Sequence, residues 1–389
     1  MGIESFNAVY LLGVIRMKTG VLEFIRGISD GGAETLVKDY ALLMDKKSFS
    51  VIVLGLFADE KSANTQILLN NDIPLLTIWK KYNLLEKVCN KLFGKLYVSH
   101  KLKKLIIEKN IRVLHIHMTM LKYVVPISEF LRESKVKLFY TCHSLPERYF
   151  DGAQSEEGRA AKYLIEHNGL QLIGLHPEMA QELNERFGIS NSIFLRNGVD
   201  FNKYRKIIDS KQEIRTQIGI PPSAFVVGHV GRFHPLKNHN FIVEVFRHLV
   251  SLRQDAFLLL IGAGEDLDKI RLKLESYGLH DHFMILSNRS DVHRLMKTMD
   301  VFMFPSLAEG LGIVLIEAQV SGLRCIVSDT VPTEAFLTPL VVPLNLNDPI
   351  EKWCDAIIDN EMFGTYSGDL NQYDMNLEIL RLQSLYRGN

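Results

Sequence analysis

Short apolar runs rich in Val, Ile, Leu and Phe alternate with stretches of helical period along most of the chain. In the first half, the runs at 20–25, 50–54, 113–117 and 137–141 predict strands, and 33–43, 84–109, 122–132 and 177–187 predict helices. In the second half, strands are expected at 224–230, 256–261, 282–286, 301–304 and 323–327. Helices at 240–252, 267–277, 292–298 and 312–320 lie between them. Repeated β-α alternation builds parallel sheets covered by helices on both faces. The alternation pauses at Phe194-Leu195-Arg196-Asn197-Gly198-Val199-Asp200 and restarts at Ala224. An Asn-Gly turn followed by a polar stretch with Pro221-Pro222 marks an inter-domain junction. The expected architecture is α/β: two doubly wound, Rossmann-like domains, 17–195 and 196–365, facing each other across a cleft. Residues 1–16 read as a loose extension, with Met17 an alternative start. Ligands of doubly wound sheets sit beyond the carboxyl ends of the strands, so the residues just after strands are the functional candidates.

Composition narrows the classes. The 389 residues are 47% hydrophobic and 23% charged, the balance of a folded globular chain with room for two domains. Lys plus Arg, 45, equal Asp plus Glu, 45, so there is no basic excess and no nucleic-acid partner is expected. Cys89, Cys142, Cys325 and Cys354 are far apart with no C-x-x-C, which fits a reducing cytoplasm. The apolar run at 8–15 is too short to span a bilayer, and with Glu4 and no Lys or Arg ahead of it makes a poor signal peptide.

Three segments after strands carry candidate chemistry. In Glu309-Gly310-Leu311-Gly312-Ile313-Val314-Leu315-Ile316-Glu317 the glycines let backbone approach a ligand. The helix starting near Ile313 offers free N–H groups, and two carboxylates suit sugar hydroxyls. A helix start with first-turn acids would look the same. In Gly231-Arg232-Phe233-His234-Pro235-Leu236-Lys237-Asn238, Arg232 can fork onto a diphosphate and Lys237 can meet it as a mobile charge. In Ser29-Asp30-Gly31-Gly32-Ala33-Glu34, Gly31 and Gly32 free a helix N-terminus to face an anion or acceptor, although a Gly-Gly pair is usually just a turn.

The E-x₇-E spacing from Glu309 to Glu317, with its Gly-rich start, resembles the signature of the family-four (group 1) retaining glycosyltransferases of GT-B fold. The segment at Gly231–Asn238 is similar to that family's G-R-x-x-x-x-K-N/G clamp. Gly-Gly-Ala-Glu resembles a segment of its polysaccharide-building members, and the 195–200 segment is also family-like, so the resemblance covers almost the full chain. It implies that Glu309 contacts the donor sugar and Glu317 the ribose, while backbone at Gly310, Leu311, Gly312 and Ile313 cradles sugar and phosphate. Leu311 stands where the family often has Phe. His143, after the strand at 137–141, would lie beside the transferred sugar in a positioning and charge-stabilising role. A last helix within 366–389 would cross back onto the first domain.

Other features are read as structural. His115 and His117 share a strand face, but no third ligand at convincing spacing suggests a metal. Gly262-Ala263-Gly264 lacks the last glycine of a dinucleotide fingerprint. Asp266-Leu267-Asp268 sits at a helix start, where acids suit the dipole. In residues 77–110, Lys80, Lys81, Lys87, Lys91, Lys95, Lys101, Lys103, Lys104 and Lys109 face only Glu86 and Glu108, with Trp79, Tyr82, Leu84, Leu85, Leu92 and Phe93 interspersed. Such a basic amphipathic helix can lie on an anionic membrane surface, or turn its apolar side inward like any other.

The expected function is transfer of a sugar from a nucleotide diphosphate donor, a UDP-sugar, to a glycan or lipid-linked acceptor with retention, in capsule or exopolysaccharide synthesis. No cofactor or metal is expected, because Arg232, Lys237 and the helix N-terminus supply the cationic field. The expected place is the cytoplasm, peripheral on the inner face of the plasma membrane. The competing readings are a sugar-nucleotide epimerase of the same architecture and a non-catalytic scaffold. A hydrolase would need its two carboxyl groups about 5 to 9 Å apart across a glycosidic bond, which this spacing gives no reason to expect.

Overall fold

A computed structural model describes residues 18–79, 84–150 and 155–388, with backbone alone for 84–93. The expected extension at 1–16, and Lys80, Lys81 and Tyr82, lie outside the described residues, as do the side chains of Leu84, Leu85, Glu86, Lys87, Cys89, Lys91, Leu92 and Phe93. The first sheet holds β1 (Thr19–Ile28), β2 (Phe49–Ala58), β3 (Leu75–Thr77), β4 (Ile111–His117), β5 (Lys137–Cys142), β6 (Gln171–Gly174) and β7 (Ile193–Phe194), in the order β3-β2-β1-β4-β5-β6-β7. The second holds β8 (Phe225–Val230), β9 (Ala256–Ile261), β10 (Phe283–Leu286), β11 (Val301–Phe304), β12 (Arg324–Ser328) and β13 (Val341–Leu344), in the order β10-β9-β8-β11-β12-β13. The recorded strand pairings are parallel. The central strands are buried on both faces, as parallel strands must be when helices cover each side; all six residues of β9, Ala-Phe-Leu-Leu-Leu-Ile, are buried. Both orders reverse beside the first strand of the domain, between β1 and β4 and between β8 and β11. Those reversals are the crevices where ligands enter.

The differences from expectation have local causes. Residues 122–132 do not form one helix. Two 3₁₀ turns, Leu121–Tyr123 and Val125–Ile127, precede a short helix at Ser128–Glu133, because Pro126 lacks an N–H for a continuous α ladder. The edge strands β3, β7 and β13 are two to four residues long and carry little pattern. Pro343 is tolerated in β13 because an edge strand has a side without partners.

The junction contains the short helices Phe201–Arg205 and Lys211–Ile218. Just before them the chain meets its own return segment. Val199 N donates to Tyr373 O at 2.7 Å and Met375 N donates to Val199 O at 3.0 Å. Gly198 is required here, since a Cβ would lie 2.7 Å from Tyr373 O. The helix Met375–Arg387 then buries Met375, Ile379, Leu382 and Tyr386 in the core of the first domain. Among the described residues no helix is long and apolar enough to cross a membrane.

Candidate active site

In the second domain the site forms at the β8/β11 reversal. After β8 the chain turns through Gly231, where a Cβ would sit 2.9 Å from His229 Nε2. It then packs against the loop after β9. A Cβ on Gly262 or Gly264 would overlap the carbonyls of Gly231 and Phe233, so those glycines serve close backbone packing of two loops. Arg232 is left exposed, without an ion-pair partner among the described residues. Lys237 instead reaches the loop after β11, where its Nζ lies 2.5 Å from Glu309 Oε1 and 5.2 Å from the Phe304 ring centroid. Two residues 72 positions apart are joined because neighbouring strands end side by side.

The loop after β11 is fixed from beneath. The Ser328 and Thr330 hydroxyls both donate to Ser306 O at 2.6 Å. Gly312, at φ 80°, caps the helix Ile313–Val320 in the left-handed region that favours glycine. Nothing lies within 4 Å of a Cβ built on Gly310, so space is open above this turn, beside Leu311 and the free N–H groups from Ile313 on.

Glu317 stands one turn inside that helix and faces the other domain. Burial pushes its carboxyl up to about 7, the Asp39 carboxylate adds to the shift, and a hydrogen bond from the Tyr204 hydroxyl opposes it. Asp39 belongs to the first-domain helix Gly32–Leu43 and pairs with Lys203 Nζ at 3.2 Å. The E-x₇-E helix and the Gly-Gly helix therefore approach one another next to the junction helix Phe201–Arg205. At the start of the Gly-Gly helix, a Cβ on Gly31 would fall on the Glu34 carboxylate, which accepts from the Ser29 hydroxyl at 3.2 Å. That helix start carries its own anion, and only the Gly32 side is open.

His143 follows β5 at the first domain's carboxyl edge and is partly exposed. Its Nε2 lies 2.9 Å from His117 Nδ1, and His117 Nε2 lies 2.7 Å from Glu23 Oε2. His115 lies 2.7 Å from Thr141 Oγ1 and 2.6 Å from the Tyr386 hydroxyl, which donates to Glu23 Oε1 at 3.1 Å. Strand register explains the cluster: Glu23 of β1 is paired with His115 of β4, and His117 with Thr141 of β5. Burial raises the Glu23 carboxyl, but His115 and His117 outweigh it and hold the group at about 2. Burial lowers His117 to about 4 and His143 well below the usual imidazole range, so both rings are neutral at pH 7. Glu23, His115 and His117 are also the one set among the described residues whose ligand atoms lie within 4.8 Å of one another. Those atoms are engaged in hydrogen bonds with each other and with Thr141, Tyr386 and His143.

Sequence reading missed Glu23, Tyr204 and Asp39. Glu23 had a signal: a carboxylate inside the run Val21-Leu22-Glu23-Phe24-Ile25 must find buried partners if the strand is central.

Two family models match the chain, "Glycosyl transferases group 1" over residues 210–339 and "Glycosyltransferase Family 4" over residues 30–203. The putative glycosyltransferase EpsF of Bacillus subtilis (strain 168) is 28% identical over 344 residues, which cover 87% of this chain and 86% of that protein. The Escherichia coli UDP-Gal:alpha-D-GlcNAc-diphosphoundecaprenol alpha-1,3-galactosyltransferase is 32% identical over 136 residues, 34% of this chain and 35% of that one. Among solved structures, Anabaena Alr3699/HepE in complex with UDP superimposes with a TM-score of 0.68 at 17% identity, covering 96% of this chain and 100% of that one. WaaG, a glycosyltransferase involved in lipopolysaccharide biosynthesis, gives 0.61 at 16% identity, covering 95% and 98%.

Proposed function

We infer the donor and the course of the reaction from the fact that the chain belongs to the group 1 glycosyltransferases of GT-B fold. Its activity is glycosyl transfer. The donor we assign is a UDP-sugar, the acceptor a glycan or lipid-linked glycan, and the outcome retention at the anomeric carbon. The observation that carries this reading is the Lys237–Glu309 pair at the β8/β11 reversal, beside the exposed Arg232 and the helix start at Gly312. A diphosphate entering there exchanges with Glu309 for Lys237 and takes Arg232 as a second cation. Glu309 is then free to accept from sugar hydroxyls, and Glu317 accepts from the ribose. Arg232, Lys237 and the helix N–H groups stabilise the leaving diphosphate as its charge develops. A neutral His143 orients the sugar and adds no positive charge.

UDP is favoured because HepE was solved with UDP and with UDP-glucose, and the Escherichia coli relative is named for UDP-Gal. We assign the product to bacterial surface polysaccharides, capsule or exopolysaccharide, a reading supported by the likeness to EpsF and to WaaG, the latter named for lipopolysaccharide biosynthesis. We assign the electrostatic role of a metal to these cationic groups, so transfer is expected to proceed unchanged in EDTA, and loss of activity there overturns this assignment. The helix Leu84–Glu108 leaves Lys95, Leu96, Tyr97, Lys101, Lys103, Lys104 and Ile107 exposed, a mixed basic and apolar face suited to reversible contact with an anionic membrane. Sedimentation with anionic liposomes tests that contact, and protein left in the supernatant removes it. For the donor, UDP is expected to raise the melting temperature while GDP and ADP do not; stabilisation by another nucleotide alone overturns the UDP assignment. Retention is read from the anomeric configuration of the product.

A further inference from the structure

The hydrogen bonds that run from Glu23 through His117 to His143 at the cleft edge leave one consistent assignment of protons. Glu23 is an ionised carboxylate and only accepts, so His117 must carry its proton on Nε2, the nitrogen 2.7 Å from Glu23 Oε2. His117 Nδ1 is then a bare lone pair, and it accepts from His143 Nε2–H at 2.9 Å. That leaves His143 Nδ1 unprotonated and without a protein partner among the described residues. Tyr386, from the helix that returns to the first domain, donates its hydroxyl to the second carboxylate oxygen at 3.1 Å, which keeps Glu23 turned toward His117. Glu23 and His117 are both buried completely, so water does not compete for these bonds.

We propose that Glu23 and Tyr386 are positioning residues for the transfer: through His117 they fix the tautomer of His143, which presents Nδ1 to the cleft as an acceptor for a hydroxyl of the bound sugar. The inference rests on the donor-site reading above. A carboxylate that sets which ring nitrogen carries the proton is a common device wherever a histidine must face a ligand with one nitrogen. A histidine able to flip between tautomers would offer the sugar hydroxyl a donor part of the time. A purely architectural network would not need its last member at the partly exposed carboxyl edge of β5.

The test is Glu23→Gln, which keeps the size of the side chain and lets an amide N–H face His117. The chain of donors can then reverse, and His143 can become protonated on Nδ1. Initial rates with the wild-type's own donor and acceptor are expected to show kcat lowered on the order of 10- to 100-fold, the usual effect of removing a group that orients a functional histidine. UDP affinity should be unchanged, and the melting temperature should stay within about 4 °C. Tyr386→Phe keeps the carboxylate but loses the hydroxyl's bonds to Glu23 and to His115, so a smaller drop of about fivefold is expected. In a His143→Asn background Glu23→Gln should have no further effect on kcat. Nitrogen NMR of histidine-labelled protein should report a pyridine-type Nδ1 and a pyrrole-type Nε2 for His143 in the wild type, exchanged in Glu23→Gln. The proposal is overturned if Glu23→Gln leaves kcat within twofold, if it costs the same in the His143→Asn background, or if wild-type His143 is the Nδ1–H tautomer. A wild-type protein that neither binds UDP nor transfers a sugar would instead sink the donor assignment, and the NMR result would still decide the tautomer.

Discussion

Two buried or half-buried carboxylates, one in each domain, meet opposite fates. Glu23 is surrounded by His117, His115 and Tyr386 and is held at about 2, whereas burial pushes Glu317 up to about 7 with Tyr204 the one side-chain donor to it among the described residues. The first is satisfied from within the protein, and the second is left with room for further donors, which a ribose would bring on the reading proposed above. The same contrast holds for the two crevices. The first domain lines its reversal with His117 and His143, both neutral, while the second presents Arg232, Lys237 and Glu309, whose charges a ligand can claim. Equal topology does not make equal sites: what differs is whether a polar group has already found its partners.

The largest expected effect follows from the charged side. Arg232→Ala and Lys237→Ala should each lower kcat on the order of 100- to 1000-fold, the cost of losing a preorganised group at a developing anion. Arg232 is exposed and unpaired among the described residues, so its removal should leave the melting temperature unchanged, and a large shift there would assign it a structural role.

The two carboxylates give intermediate effects of opposite sign. Glu317 has a raised value, so its contribution to stability is present below the ordinary carboxylate range and is lost as pH rises through about 7. Glu317→Gln should therefore stabilise the protein by about 2 kcal/mol at pH 8 and by almost nothing at pH 4. Glu23 has a lowered value, so its contribution is present above the ordinary carboxylate range and is lost as pH falls toward about 2. Glu23→Gln should flatten that acid limb by about 2 kcal/mol. Urea unfolding at several pH values reads both, and slopes of the same sign would end the comparison. Smallest is Lys203→Ala, which removes the half-exposed pair with Asp39 at 3.2 Å and should cost about 0.5 kcal/mol or less.

Much of the fold is legible in the sequence because central parallel strands are buried on both faces and read as unbroken apolar runs. The stretches 256–261 and 301–304 are strands over those same residues. Gln171–Gly174 and Ile193–Phe194 are not legible, since a strand of two to four residues has no period to detect. Within the site, Arg232, Lys237, Glu309 and Glu317 are visible as polar residues placed after strands. Their mutual arrangement is not, because the Lys237–Glu309 contact depends on β8 and β11 being neighbours. The alternation of His115 and His117 shows that they share a face. That Glu23 lies against them depends on the register of β1 on β4, which the sequence pattern does not carry.

The return helix has a consequence for synthesis. Met375, Ile379, Leu382 and Tyr386 fill the core beneath β1 and β4, so the first domain to emerge from the ribosome lacks part of its interior until residues 375–387 have followed. The second domain has its described strands by residue 344 and its core helix Ile350–Ile358, with Trp353, Cys354, Ala356 and Ile357, by residue 358, so it can close earlier. Nascent chains released before the helix should therefore hold a folded second half and a first half with an open apolar groove, a natural target for chaperones.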